Sequence, residues 1–364
     1  MAAITIEPTN KTGCYQALNY TYTNTIIGNS NPMSIEVDVK IAGASFRTLF
    51  LVSYISRTES GGDYTYTFRF DISKVVQSFF DNNQFFYDSA KTYPYTAAAL
   101  VAAVVVDVYR WEPDTNGVLT RNATPTTSNP LSYFNSLKND MAVYLGAVGR
   151  KFLTKKTDYR LSKQVTNLIA IYSDADVTHL RINASGDVVT LAMTSGQINI
   201  FNLNDYIAAA TATLVIQGGV QPGETFNGTS EILTFSVLDD ICDPVGLHFQ
   251  SELGTAEVFL FKDYEYGTEN ERDSDLYVTD SDLVRMYKGQ IEKIIEIQKR
   301  GFFDGEWTFF QDVVTSSIFY VEQPTGTLLE VYATFKTTPF RTPSGAIDIN
   351  LRFSYSNEQK IFEN

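Results

Sequence analysis

The chain of 364 residues contains only two cysteines, two histidines and two tryptophans. Cys14 and Cys242 lie far apart, and neither has a cysteine or histidine at metal-ligand spacing, which argues against a structural zinc site and against a disulfide framework. With His179 and His248 as the whole histidine content, the commonest general base and metal ligand is nearly missing. Each is read as a surface or hydrogen-bonded side chain rather than a catalytic one. Positive charge is also short: 28 Lys and Arg stand against 42 Asp and Glu, a formal charge of -14. That balance opposes affinity for a polyanionic backbone or an anionic bilayer, so neither nucleic acid nor membrane is an expected partner.

Long apolar runs are scarce as well. The most apolar stretch, Ala99 to Trp111 (ALVAAVVVDVYRW), is interrupted by Asp107 and Arg110, whereas a spanning helix needs roughly 20 apolar residues. Its valines are β-branched and favour a pleated surface, so it reads as a buried strand. Met1 to Gly13 has neither a basic start nor an apolar core, and no secretory signal is expected there. The sequons at Asn10 and Asn227 are of a kind that arises by chance in a chain rich in Asn and Thr. The phosphate-loop, nucleophile-elbow, dinucleotide and zinc-protease motifs are all missing. No catalytic residue, cofactor or metal site is therefore assigned, and the chain is not expected to be an enzyme.

Two acidic features bear on that reading. Between Asp263 and Asp282 lie Asp263, Glu265, Glu269, Glu271, Asp273, Asp275, Asp280 and Asp282. Such a cluster can bind calcium through carboxylate oxygens, but Val278 stands where an EF-hand loop starting at Asp273 needs Gly. A solvated acidic loop is the expectation. A glycosidase pair needs one buried carboxylate of raised pKa at a defined separation, and no named pair lies in an aromatic cleft that would create it.

What is abundant is Tyr (22), Phe (25) and short polar residues between them, a mixture suited to sheet faces and protein interfaces. Ile35 to Ile41 and Tyr64 to Phe70 alternate with period two and flank Thr48 to Ser53, suggesting three antiparallel strands. Asp71 or Ser73 can cap a short helix with Val75, Val76, Phe79 and Phe80 on one face. Thr115 to Pro130 reads as a loop or boundary. Short strands then follow at Val165 to Tyr172, His179 to Ile182, Val188 to Met193, Gln197 to Phe201, Ala212 to Ile216 and Glu231 to Leu238, with Gln217 to Gly223 as a turn or loop. Their spacing suggests a second sandwich.

In the last third Val258 to Phe261, Leu328 to Phe335 and Ile347 to Tyr355 read as strands, and Ser281 to Gln298 suits helix or strand. An amphipathic helix is expected near Gly305 to Ser317, capped by Asp304, with Trp307, Phe310, Gln311 and Val314 repeating at helical spacing. The expected fold is mainly β, with two or three β-sandwich or barrel-like domains and a few short helices. Domain limits are placed at 1–130, 131–238 and 239–364.

The order of Phe70 to Ser73 (FDIS), Phe152 to Thr154 (FLT), Leu247 to Phe261 (LHFQSELGTAEVFLF), Asp312 to Glu322 (DVVTSSIFYVE) and Ile349 to Gln359 (INLRFSYSNEQ) resembles virion proteins of tailed phages that infect Bacteroidetes. The resemblance spans most of the chain through short, packing-related motifs. It implies a structural component of the tail, a ring, hub or baseplate protein, assembled in the host cytoplasm. The partners it implies are other virion proteins and further copies of the chain in a homo-oligomer of cyclic symmetry. It brings no catalytic residue with it. Two other functions fit the composition: a carbohydrate- or receptor-binding tail protein, disfavoured by the shortage of Trp, and a tail enzyme that cleaves polysaccharide or cell wall.

Overall fold

Strands dominate the computed structural model. It describes the chain apart from residues 1, 28–32, 52, 84–89, 97–99, 115, 139, 147–149, 157–158, 239–243, 262, 272–275, 279–283, 287, 301–303, 317, 323–326, 337–339, 342–346, 356–359 and 364. The backbone alone is described for the rest of 263–308, for 311, and for the rest of 334–350 and 354–363. Two compact units result, one of residues 1–85 and 97–150, the other of residues 86–96 and 151–364.

The first unit opens with β1 (Ala2–Ile6), β2 (Thr12–Gly13), β3 (Asn19–Ile27), β4 (Ser34–Ile41), β5 (Ala44–Leu51), β6 (Ser56–Ser60) and β7 (Asp63–Asp71), and then α1 (Ser73–Asp81). After β8 (Tyr95–Thr96), which belongs to the second unit, it continues with β9 (Val101–Pro113), β10 (Leu119–Arg121), β11 (Thr126–Thr127), β12 (Leu131–Phe134) and α2 (Met141–Gly146). One sheet has the order β1-β3-β7-β6. The other has β2-β12-β9-β4-β5, with β10 and β11 also on β9. Tyr20, Tyr22, Tyr66, Phe68 and Phe70 from the first sheet share one core with Ile35, Val37, Val39, Val104, Val106 and Val108 from the second. That is the outcome period-two alternation produces when two antiparallel sheets each turn one face inward.

Several expectations are corrected here. Tyr64 to Phe70 does not continue a meander from Thr48 to Ser53. It forms β7, which pairs with β3 and β6, while β5 pairs with β4 in the other sheet. Gly61 and Gly62, both at positive φ, allow the tight β6–β7 turn. Thr115 to Pro130 is more than a loop, because two short pieces of it, β10 and β11, return along β9. Strand β9 runs straight through Asp107. The α1 face is as expected, with Val75, Val76 and Phe80 buried. Asp71 accepts the Ser73 amide at 2.8 Å from one position ahead of the formal cap, Ile72.

The second unit adds β13 (Tyr159–Leu161), β14 (Leu168–Tyr172), β15 (His179–Ala184), β16 (Asp187–Ala192), β17 (Ile198–Asn202), β18 (Thr213–Val220) and β19 (Asn227–Val237). These form the sheets β13-β19-β18-β15-β16 and β14-β17-β8. Gly218 and Gly219, expected in a turn, lie inside β18 at a register shift. A Cβ on Gly218 would stand 2.7 Å from Val177 Cγ1 and 2.8 Å from Ile171 Cδ1, and one on Gly219 would run into the Asn227 carbonyl. Close approach of neighbouring backbone and side chains, and not a turn, is what these glycines permit.

The remaining elements are β20 (Val245–Gln250), β21 (Ala256–Phe261), β22 (Asp263–Glu271), β23 (Leu276–Val278), β24 (Val284–Met286), β25 (Lys288–Arg300), α3 (Asp304–Thr315), β26 (Phe319–Glu322), β27 (Leu328–Lys336), β28 (Phe340–Arg341), β29 (Ile347–Tyr355) and β30 (Lys360–Glu363). Their main sheet has the order β21-β20-β26-β27-β29-β25-β22. Within Ser281 to Gln298 the described segments are strand, and the acidic segment Asp263 to Glu271 is a strand paired with β25 instead of a loop.

The compact units also differ from the domain limits read from the sequence. Leu131 to Phe134 pairs with β9, which carries the first unit on to residue 150. Residues 151–238 and 239–364 fall in one unit, in which the Tyr159 ring of β13 packs on Phe259 and Phe309 and its hydroxyl accepts the Leu260 amide at 2.8 Å.

Candidate functional site

The solvent side of the β4/β9 sheet carries the richest surface chemistry of the first unit. Glu36 on β4 lies opposite Phe50 on β5 and Tyr109 on β9, so all three share a face. Arg121 on β10 binds the Glu36 carboxylate through Nε (3.1 Å) and Nη2 (2.7 Å), and Trp111 Nε1 donates to the same carboxylate at 3.1 Å. The Arg121 hydrogen bond, with help from Trp111, holds Glu36 below the usual carboxylate range despite some desolvation. The Arg121 guanidinium lies 3.5 Å from the Tyr109 ring centroid, and Phe50 meets Trp111 edge to face at 5.6 Å. Phe50 is 51% exposed. Among the described residues β5 is one edge of this sheet, β2 being the other.

A second constellation is buried in the other unit. Lys156 and Glu257 have side chains only 2% and 4% exposed, with Nζ 3.3 Å from Oε2. Around them stand Phe249, Phe259, Phe309 and Tyr159, and the Lys156 Nζ lies 4.9 Å from the Phe309 ring centroid. Burial drives Lys156 down from its ordinary value, against the pull of Glu257. It pushes Glu257 up to about 7, against the pull of Lys156 and Thr154. Next to this pair, Lys155 binds buried Asp312 at 2.6 Å and Glu252 at 3.0 Å. Loss of solvent works against the Lys155 charge, but its two carboxylate partners more than restore it.

Of the residues singled out in the sequence, His248 is fully buried and its Nε2 lies 3.0 Å from Glu322 Oε2, while Glu322 also accepts the Thr166 hydroxyl at 2.6 Å. His179 is half-buried beside Thr178. Cys14 is a buried thiol that desolvation pushes up to about 12, the environment of a packing residue and not of a nucleophile. Cys242, the Asp273, Asp275, Asp280 and Asp282 group and the side chains of Asp263 to Glu271 lie outside the described residues. So do the side chains of Trp307 and Gln311. On α3 the described side chains of Phe309, Phe310, Asp312 and Val313 are buried and Val314 is half-buried, so Phe310 and Val314 of the expected stripe lie inward, and Phe309 and Phe310 both meet Phe259.

Among the described residues no group of three or more His, Cys, Asp or Glu side chains could hold a metal ion, and no helix is long and apolar enough to cross a membrane. A depression of about 390 Å³ in the first unit is lined in part by Glu7, Thr12, Gln16 and Asp140. Both carboxylates there already serve the fold, Glu7 accepting from Asn129 and Asp140 from the Val143 amide. Sequence reasoning missed Lys156 and Glu257. A lone Glu inside the apolar run AEVFLF was the available signal for the second, since an isolated charge in a buried strand requires a partner.

No family model and no curated protein matches the chain. Among solved structures it is similar to extracellular domains 3–5 of Drosophila OTK, at 11% identity and TM-score 0.21, covering 81% of this chain and 92% of that one. It is also similar to a structure described for host cell surface retention of a 1.5-MDa bacterial ice-binding adhesin, at 10% identity and TM-score 0.19, covering 98% and 97%. A third is the Bacillus anthracis TIE protein, at 11% identity and TM-score 0.15, covering 100% and 72%. Likeness at this level carries no argument about function.

Proposed function

We propose that the chain is a structural virion protein of a phage tail, a ring, hub or baseplate component that acts through protein–protein interfaces. The observation that carries this reading is the β5 edge, which pairs with no strand beyond β4 among the described residues, joined to the Phe50, Trp111, Tyr109 and Arg121 face. Trp, Tyr and Arg are the residue types that dominate binding energy at interfaces, and a sheet edge left open in one chain is suited to closure by a neighbouring one. The partners are further copies of the chain, in a cyclic homo-oligomer, and other virion proteins. Assembly takes place in the host cytoplasm, and the strong negative charge keeps nucleic acid and membranes from competing for the same surfaces.

Among the described residues the carboxyl group raised to about 7 is that of Glu257, and it gives enzymatic action no support because it is sealed beneath aromatic rings where no polymer chain could reach it. Replacing Phe50 with Lys tests the reading. The variant is expected to keep its circular dichroism and melting temperature but to lose entry into particles. Normal incorporation would overturn the role given to this face. On a glycan array the wild-type chain is expected to bind no sugar, and specific binding would favour a receptor-binding tail protein instead.

A further inference from the structure

The Lys156–Glu257 pair has the wrong surroundings for an ordinary ion pair. A buried pair repays its desolvation only with good geometry and further hydrogen bonds. Here Nζ and Oε2 stand at 3.3 Å, and neither Glu257 oxygen accepts a hydrogen bond of good geometry, although Thr154 faces it. The nearby Asp312 charge is matched by Lys155, which leaves Lys156 and Glu257 to each other. Aromatic rings form much of the remaining wall. Desolvation favours a neutral amine facing a neutral carboxylic acid, the two forms that can react. With Nζ 3.3 Å from Oε2, the amine stands in contact with the carboxyl group it would attack, the proximity that makes a two-group reaction effectively unimolecular.

We propose that Lys156 and Glu257 condense with each other to form an intramolecular amide cross-link. The Nζ lone pair attacks the Glu257 side-chain carbonyl carbon, the bond to the acid hydroxyl breaks, and that hydroxyl leaves with a proton from nitrogen as one water. No oxidant or activated co-reactant is needed. In water the ionised amine and carboxylate are inert toward each other. In a dry pocket burial shifts both groups toward their neutral forms while they are in contact, and the solvent that would hydrolyse the product is kept out. The bond would join β21 to the segment entering β13 across about 100 positions of chain, a closure long enough to restrict the unfolded state strongly. This inference is independent of the assembly reading.

Mass spectrometry of the purified full chain tests it. The folded wild-type protein is expected to weigh one water less than its sequence. Proteolysis should yield a peptide containing Lys156 joined to one containing Glu257, and Lys156→Met should carry its full sequence mass. On a denaturing gel the wild-type chain should also migrate faster than that variant. A folded wild-type chain of full sequence mass, with Lys156 open to trypsin after denaturation, would overturn the proposal. So would a water loss that maps elsewhere, for example to a succinimide at Asp304-Gly305. Because the deciding measurement is made on the wild-type protein, it does not depend on whether a variant folds.

Discussion

In the first unit the buried charges lie on the outer face of the sheet, away from the valine core. Asp38 and Asp107 face each other directly across β4 and β9, an arrangement that repulsion alone would break. Lys40 and Thr127 reach Asp107 there, and Ser45 reaches Asp38. Lys40 keeps about a third of its side chain in water. In the second unit the charges of Lys156 and Glu257 lie within an aromatic core, with no comparable access to solvent. The first arrangement meets its charges with hydrogen bonds and partial hydration. The second can only neutralise them, by pairing, by proton transfer or by bond formation.

The largest effect expected from this contrast belongs to the buried pair. At pH 8, Lys156→Met should be about 3 to 5 kcal/mol less stable than the double variant Lys156→Met/Glu257→Leu, because the single change strands a carboxyl group in the core and the double change removes it. Both variants lack the amine, so the comparison holds whether or not the cross-link forms. Equal stability in a denaturant titration would mean that water reaches Glu257.

A smaller effect is expected from pH, and it should run in opposite directions in the two units. Glu257 is raised in the folded state, so its contribution is fully present below the unfolded carboxyl range and is lost as pH rises through about 7. Burial pushes Asp107 up, but the Lys40 and Thr127 hydrogen bonds overcome it and leave it depressed. Its contribution is therefore present above the unfolded value and lost as pH falls through the folded one. In Lys156→Met, raising the pH from 5 to 8 should lower the stability of the second unit and leave that of the first unchanged. Trp111 fluorescence in a Trp307→Phe background reports the first unit separately. Parallel pH profiles would erase the contrast.

The smallest effect is that of Lys40→Met. With Thr127 and solvent still available to Asp107, the loss should be about 1 kcal/mol. It should shrink as pH falls and Asp107 becomes protonated. A loss as large as that of Lys156→Met would mean that the β4/β9 charges are buried as deeply as the aromatic pair.

These contrasts mark what the sequence could reveal. Strands β4, β7, β9, β27 and β29 were legible because one face of each alternates into a core or, in β9, because valines fill it. Strand β6 was not, since Ser56 to Ser60 is polar and exposed throughout and exists by pairing with β7. Strand β3 hid its inward face in tyrosines, Tyr20 and Tyr22, that composition assigned to surfaces. The site residues behaved alike. Trp111 and Tyr109 read only as parts of an apolar strand, and their convergence with Phe50 and Arg121 comes from the β5-β4-β9-β10 pairing. Nothing near Lys156 marked it, because its partner lies about 100 positions away.

The central claim, that this protein works through surfaces one copy offers another, is tested most directly by sedimentation of the purified chain at micromolar concentration. The expected result is a closed species at a fixed multiple of the 40.8 kDa protomer, which Phe50→Lys converts to monomer without unfolding. A sharp monomer at every concentration, from a chain that also fails to enter particles, would contradict it.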